Sequence, residues 1–147
     1  MIAAALSGAL PPALRAATNG APDLRTLDAY ADILLPADDR SPAASQLGVA
    51  AEIIDLAADA ALFRRLLTLG TQWLNETGPA RFHDLGPDEQ TRVVNWMSRS
   101  DFDQVPGRFH HLMRMTAVEI YYSRTEALAG FPLNAAPQPR GYPPPWT

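Results

Sequence analysis

Two adjacent aspartates, Asp38 and Asp39, are the first residues in the chain whose type and spacing could perform chemistry. Neighbouring carboxylates can exchange protons with a substrate or bind a cation. They stand between two helical patterns, and aspartates at such a position are more often turn formers that place negative charge before a helix. Because no further oxygen ligands follow nearby, the turn-forming interpretation is favoured. Acid–base or cation chemistry stays as the alternative.

Histidine and methionine cluster in one segment, which contains His110, His111, Met113 and Met115. His111 and Met115 are four residues apart and could share a helix face, as ligands of haem or copper would. Met113 belongs to an apolar stripe and is better explained as core filling. Covalent c-type haem attachment needs cysteine, which is absent. The segment therefore predicts an ordinary helix, and an independent helical enzyme that uses His110 and His111 is the rival.

The sequence motifs of common catalysts are missing. No cysteine or acidic residue near His83 makes a triad, and there is no Gly-x-Ser-x-Gly elbow. The phosphate-binding patterns Gly-x-Gly-x-x-Gly and Gly-Lys-Ser/Thr are also missing. We therefore predict that this chain is not the catalyst and that it holds no flavin, nucleotide, haem or metal itself.

The composition narrows the function further. A chain of 147 residues with 47% hydrophobic residues predicts one globular domain. The net charge of −4 argues against nucleic acid as a partner. The lack of cysteine excludes disulfides, thiolate catalysis and cysteine-ligated zinc.

Two predicted helices position the turn that holds the aspartates. The segment Leu27–Leu35 carries one apolar face with helical spacing, and Pro36 should end that helix. Ser41 and Pro42 are expected to begin the next helix, as its N-cap and its first helical residue.

Three further helices are predicted. One covers Leu62–Leu74, with Gly70 near its middle, where a close helix crossing is expected. Pro87 opens the fourth helix at its first position. After a loop over residues 101–107, the fifth helix carries an apolar stripe from Phe109 to Tyr121. The prediction is an all-α, single-domain fold of about five helices, followed by an irregular proline-rich tail.

The two ends differ in composition from the helical domain, which we place at residues 21–136. Residues 1–20 resemble an export signal, although the apolar run is too short to span a membrane and lacks a basic region before it. Residues 137–147 form a tail rich in proline and aromatic residues.

Partner binding is predicted towards the C-terminus. Tyr121 continues the apolar stripe and should pack inside the domain, whereas Tyr122 points about 100° away and could face a partner or the returning tail. A proline-stiffened segment loses little entropy on docking, and large aromatic side chains are favoured interface anchors. The predicted partner-binding residues are Tyr122, Phe131, Tyr142, Pro143 and Trp146.

Three segments, taken in order, resemble those of one protein family. The first is L-P-x-D-D-x-S-P-x-A-S-x-x-G-V, the second is the paired aromatic Tyr121-Tyr122, and the third is Gly141-Tyr142-Pro143. The residues of the first motif to which we assign structural roles are Pro36, Asp38, Asp39, Ser41, Pro42 and Gly48. Over residues 25–146, the chain resembles the gluconate 2-dehydrogenase subunit 3 family.

The resemblance implies a non-catalytic small subunit of a periplasmic dehydrogenase complex at the inner membrane. Its partner would be an FAD-containing catalytic subunit of the glucose–methanol–choline type that oxidises a sugar, sugar acid or glycoside. A multihaem cytochrome c subunit could carry the electrons away, and membrane association would come only through these partners. The small subunit would assist folding, flavin loading and twin-arginine export of the catalytic subunit, although the arginine pair itself is missing here. A free-standing helical interaction domain remains the alternative.

Overall fold

The computed structural model describes residues 20–129 and residue 131. Within those residues the chain forms five α-helices and no β-strand, which confirms the predicted all-α fold. The helices are α1 (Leu24–Leu34), α2 (Val49–Ala57), α3 (Ala61–Thr77), α4 (Pro87–Ser98) and α5 (Val105–Tyr122). Short 3₁₀ turns cover Ser45–Leu47 and Phe82–Asp84. Residues 1–19 of the signal-like segment and the whole of the tail at 137–147 lie outside the described residues.

Helix α1 begins and ends where local chemistry requires. The Asp23 carboxylate accepts hydrogen bonds from the backbone N–H groups of Arg25 and Thr26, at 3.1 and 3.4 Å, so it caps the free donors of the first turn. The helix ends at Leu34, with Leu35 as its C-cap directly before Pro36. The predicted stop at this proline is confirmed.

The predicted start of the second helix at Ser41 and Pro42 is wrong. The Asp38 carboxylate accepts the backbone N–H groups of Arg40 and Ser41, at 2.8 and 2.7 Å, and this closes a turn in place of a helix start. The Pro42 carbonyl accepts a hydrogen bond from the Tyr121 hydroxyl at 2.7 Å, which ties the segment to α5. Helix α2 begins only at Val49.

Gly48 explains why α2 starts so late. Its φ of 67° lies in the left-handed region, where glycine is favoured, and it separates the 3₁₀ turn from α2. The 3₁₀ turn is itself held by Asp32 of α1, whose carboxylate accepts both the backbone N–H and the hydroxyl of Ser45, at 2.8 and 2.7 Å. The 3₁₀ turn that connects α1 to α2 is therefore hydrogen-bonded to α1 at Ser45 and ends at Gly48, directly before α2.

Helix α5 is longer than the sequence pattern predicted, so the loop prediction for residues 101–107 is wrong at its end. The helix starts at Val105, with Pro106 in its first turn, a position that suits the fixed φ of proline. Gly107 is buried inside the helix, where a Cβ would lie 2.6 Å from the carbonyl oxygen of Ser100. The fixed φ of Pro106 therefore suits the first turn of α5, and the missing side chain of Gly107 allows the carbonyl oxygen of Ser100 to approach closely.

Helix α5 is the centre of the fold, because each of the other four helices packs against it. The close crossing predicted at Gly70 is confirmed: the Phe109 ring of α5 occupies the space where a Cβ of that residue would lie. Phe109 is fully buried and meets the ring of Tyr30 edge to face, with centroids 5.2 Å apart. The core is therefore built on three aromatic side chains. They are Tyr30, Phe82 and Phe109.

Candidate functional site

The Asp38–Asp39 turn has the structure of a turn former. Asp38 is exposed, and its hydrogen bonds from the backbone N–H groups of Arg40 and then Ser41 hold the pKa of the carboxyl below its usual value. Across the part of the chain that the structure describes, no group of three or more acidic or histidine side chains is arranged to hold a metal ion. The geometry therefore gives the cation alternative no support.

His83 has acidic neighbours that the sequence analysis did not assign to it. Its Nε2 lies 3.7 Å from a carboxylate oxygen of Asp84, and its Nδ1 lies 3.1 Å from the Thr26 hydroxyl. The order of hydroxyl, imidazole and carboxylate is that of a triad, but Thr26 is fully buried and no substrate could reach it. Asn75 connects the Thr26 hydroxyl to a second carboxylate. Its side-chain oxygen accepts from the Thr26 hydroxyl at 2.9 Å, and its side-chain NH₂ donates to Asp23 at 2.9 Å. This polar network joins α1, α3 and the second 3₁₀ turn.

The two histidines and two methionines of this segment do not converge on a haem or copper site. Met113 is fully buried in the core, as predicted, whereas Met115 is exposed on the opposite side of α5. His110 is half-buried and shares a 2.8 Å hydrogen bond with the Tyr30 hydroxyl. His111 is exposed and meets the ring of Phe102 edge to face, with centroids 5.3 Å apart. The four side chains therefore lie in different environments.

Helix α5 carries a second apolar face, which points to solvent. Its buried face holds Phe109, Met113, Ala117 and Ile120. On the other side lie His111, Met115, Val118 and Tyr122, which we call the outer stripe. Their spacing of four, three and four residues places them along one line, about 180° from the buried face.

Aromatic rings extend the outer stripe at both ends. Phe102 packs against His111 at one end, and Phe131 packs against Tyr122 at the other, with centroids 6.0 Å apart. Phe102, Met115, Val118, Tyr122 and Phe131 are 37–58% exposed. Several large apolar side chains exposed along one line of a helix are a mark of an interaction surface, whereas single exposed apolar residues need no explanation.

The structure brings together two of the five residues predicted to bind a partner. Tyr122 and Phe131 contact one another and are both exposed, while Tyr121 packs inside at 3% exposure, as the sequence pattern predicted. Tyr142, Pro143 and Trp146 lie outside the described residues. Phe102, Met115 and Val118 were not among the predicted partner-binding residues. The i, i+4, i+7 and i+11 spacing of the outer stripe was the signal that could have found them.

A small helical domain whose central helix is apolar on both faces is typical of a subunit that binds another protein. Comparison with known proteins agrees with this class. The family model described as gluconate 2-dehydrogenase subunit 3 matches residues 21–131, which is most of the chain. The chain belongs to this family of dehydrogenase subunits. No curated protein sequence and no solved structure matches it.

The family model matches the part of the chain that contains all five of the helices described above. The match runs from the start of α1 to Phe131, so both the motif turn and the outer stripe lie inside it. None of the helices in the described residues is long and apolar enough to cross a bilayer.

Proposed function

We propose that this chain is the non-catalytic small subunit of a periplasmic, FAD-dependent dehydrogenase complex. Its partner is a catalytic subunit of the glucose–methanol–choline type that oxidises a sugar, sugar acid or glycoside. A multihaem cytochrome c subunit completes the electron path, and the complex associates with the inner membrane through these partners. The small subunit assists the folding, flavin loading and export of the catalytic one.

The outer stripe of α5 carries the docking part of this proposal. A side chain that is about half exposed gains roughly 1 kcal/mol when a partner buries the remainder. The aromatic members, Phe102, Tyr122 and Phe131, are also of the type that dominates protein interfaces. The family membership supports a dehydrogenase complex as the source of the partner.

The geometry at Asp38 and at His83 favours an accessory role over catalysis at these two places. Asp38 is engaged by backbone N–H groups, and the triad-like arrangement at His83 is built on a buried hydroxyl. A general acid or base must be free to exchange a proton with a substrate, whereas the exposed Asp38 carboxylate is occupied by backbone N–H groups and the Thr26 hydroxyl is out of reach. Both arrangements instead connect elements of the fold.

Coexpression with a candidate flavoprotein of the glucose–methanol–choline type from the same organism tests the proposal. Met115→Glu and Val118→Glu place a charge on the outer stripe and should reduce the recovered complex at least thirtyfold, since burying an unpaired charge costs 2 kcal/mol or more. Leu62→Glu is the matched control, because Leu62 is an exposed leucine of α3, at 83%, that is not a member of the stripe and lines a separate groove with Leu112. Flavin absorbance should follow the complex and be missing from the small subunit alone.

Circular dichroism and thermal unfolding would establish that all three variants are folded. Full recovery of the complex with both stripe variants would contradict the docking role. Equal loss in the Leu62→Glu control would show that the assay does not report on this surface.

A further inference from the structure

A polar groove of about 580 Å³ lies between α1, α4 and α5, beside the outer stripe. One wall carries Asn95 and Ser98 of α4, with Ser100 just beyond the helix. The opposite wall carries two histidines and an arginine of α5. The volume is within the range of small-ligand sites in proteins. The α5 side chains are His110, His111 and Arg114.

His110 is held in a defined orientation from beneath. The Tyr30 hydroxyl is fully buried, and its recorded partner is the His110 Nδ1 at 2.8 Å. Burial raises the pKa of Tyr30, so the phenol keeps its proton and needs an acceptor. We assign the His110 Nδ1 as the acceptor of that proton, because it is the group within reach of the buried phenol, and the neutral imidazole then carries its own hydrogen on Nε2. This is how a partner on one ring nitrogen fixes the tautomer and leaves a donor on the other.

The charge in the groove is positive. Burial lowers the pKa of His110, and the positive charge of Arg114, one helical turn further along, and of His111 adds to this effect. The other titratable group that contacts His110 is Tyr30 of α1, and the lining residues from α4 are uncharged. No Asp or Glu of the described residues lines this groove. An anionic group placed here would meet cationic and neutral donors and no lining carboxylate.

We propose that this groove is a binding site for a carboxylate group. One carboxylate oxygen accepts from the Arg114 guanidinium and the other from the His110 Nε2–H, while Asn95 and Ser98 hydrogen-bond neighbouring polar groups of the ligand. A planar guanidinium is matched to a carboxylate, and such charge-assisted hydrogen bonds are about twice as strong as neutral ones. The fixed imidazole reduces the ordering needed when the ligand binds.

The carboxylate could come from a free organic acid or from an acidic side chain of the docked partner. The groove adjoins the docking surface, because Phe102 and His111 belong to both. Only the second source depends on the proposed function. The two sources are separated by testing the small subunit alone and then the complex.

The first arm is NMR titration of the full chain at pH 7.5 with sodium gluconate and sodium acetate. Sodium chloride at equal ionic strength and glucose are the matched controls. Binding is expected to shift the His110 imidazole and the Arg114 Nε–H resonances saturably, to raise the pKa of His110, and to weaken about tenfold in Arg114→Gln. Arg25→Gln, which changes an exposed arginine of α1 away from the groove, should leave the titration unchanged.

The second arm measures affinity for the flavoprotein with the same variants and with His110→Gln. A loss of about tenfold for Arg114→Gln and His110→Gln, but not for Arg25→Gln, assigns the site to an acidic side chain of the partner. The proposal is overturned if carboxylates cause no saturable shift beyond that of chloride and the variants leave partner affinity unchanged. If the wild-type chain does not bind the flavoprotein, the proposed function fails, and the first arm alone decides for or against the groove.

Discussion

Gly70→Ala should destabilise the protein, although alanine is the better helix former. Gly70 lies in the middle of α3 where α5 crosses it, and it is buried. An alanine Cβ would lie 2.5 Å from both Cγ and Cε2 of Phe109, far inside van der Waals contact. The ring cannot move away easily, because Phe109 is fully buried and packs against Tyr30.

Two opposing terms set the size of the effect. Replacing glycine by alanine in a helix interior contributes about 1 kcal/mol of stability. Forcing an extra carbon into a packed core costs about 1–3 kcal/mol, and the overlap at Phe109 places this site at the upper end of that range. The free energy of unfolding should therefore fall by about 1–2 kcal/mol.

Urea denaturation followed by circular dichroism would measure the change. Ala51→Gly, at an exposed position of α2, calibrates the helix-propensity term and should cost about 1 kcal/mol. Combining Gly70→Ala with Phe109→Leu should give a coupling energy of about 1 kcal/mol in favour of the pair, since the smaller side chain makes room. If Gly70→Ala alone stabilises the protein by the propensity term, the crossing is not limited by this contact and the reasoning is refuted.

Four further predictions concern the polar groups and the tail. The pKa of folded His110 is below its unfolded value of about 6.5, so the unfolded state binds more protons between the two values. Stability should therefore fall as pH drops below about 6.5, and His110→Gln should flatten this part of a denaturation profile against pH. Asp38→Ala should lower the melting temperature more than Asp39→Ala, because the Asp38 carboxylate accepts two backbone N–H groups; equal melting temperatures would contradict this. Asn75→Ala should lower the free energy of unfolding by about 2 kcal/mol, measured in urea, because it leaves the Phe82 N–H without its acceptor and removes one of the donors to Asp23. Deleting residues 137–147 should leave the helical circular dichroism spectrum unchanged but reduce pull-down of the flavoprotein, and an undiminished pull-down would show that the tail is not an anchor.

Two helix boundaries were predictable because a proline sets each of them through its own backbone, whereas the boundaries at Gly48 and Pro106 were missed. Pro36 after α1 and Pro87 at the start of α4 were placed correctly for that reason. The start of α2 was predicted too early, because Ser41 and Pro42 have the local pattern of a helix start but are held in a turn before Gly48. The Tyr121 hydroxyl holds the Pro42 carbonyl across a separation of 79 residues, and no local pattern contains that bond.

The candidate site was predictable only in part, for a similar reason. The direction of Tyr122 follows from the 100° step between helix positions. Met115 was examined as a metal ligand in the sequence, and its place in the outer stripe depends on knowing that the opposite face is the buried one. The contact between Tyr30 and His110 joins residues 80 positions apart, so it needed the tertiary structure.

The outer stripe also has a consequence for the life of the protein in the cell. A subunit synthesised in excess of its partner would keep the outer stripe exposed, since Met115, Val118 and Tyr122 are already exposed in the folded domain. Other proteins could then bind to this apolar surface without specificity. Subunits without a partner are prone to aggregation and to removal by proteases. Balanced synthesis of the two subunits would then protect this one, and its steady-state amount would rise and fall with that of the flavoprotein.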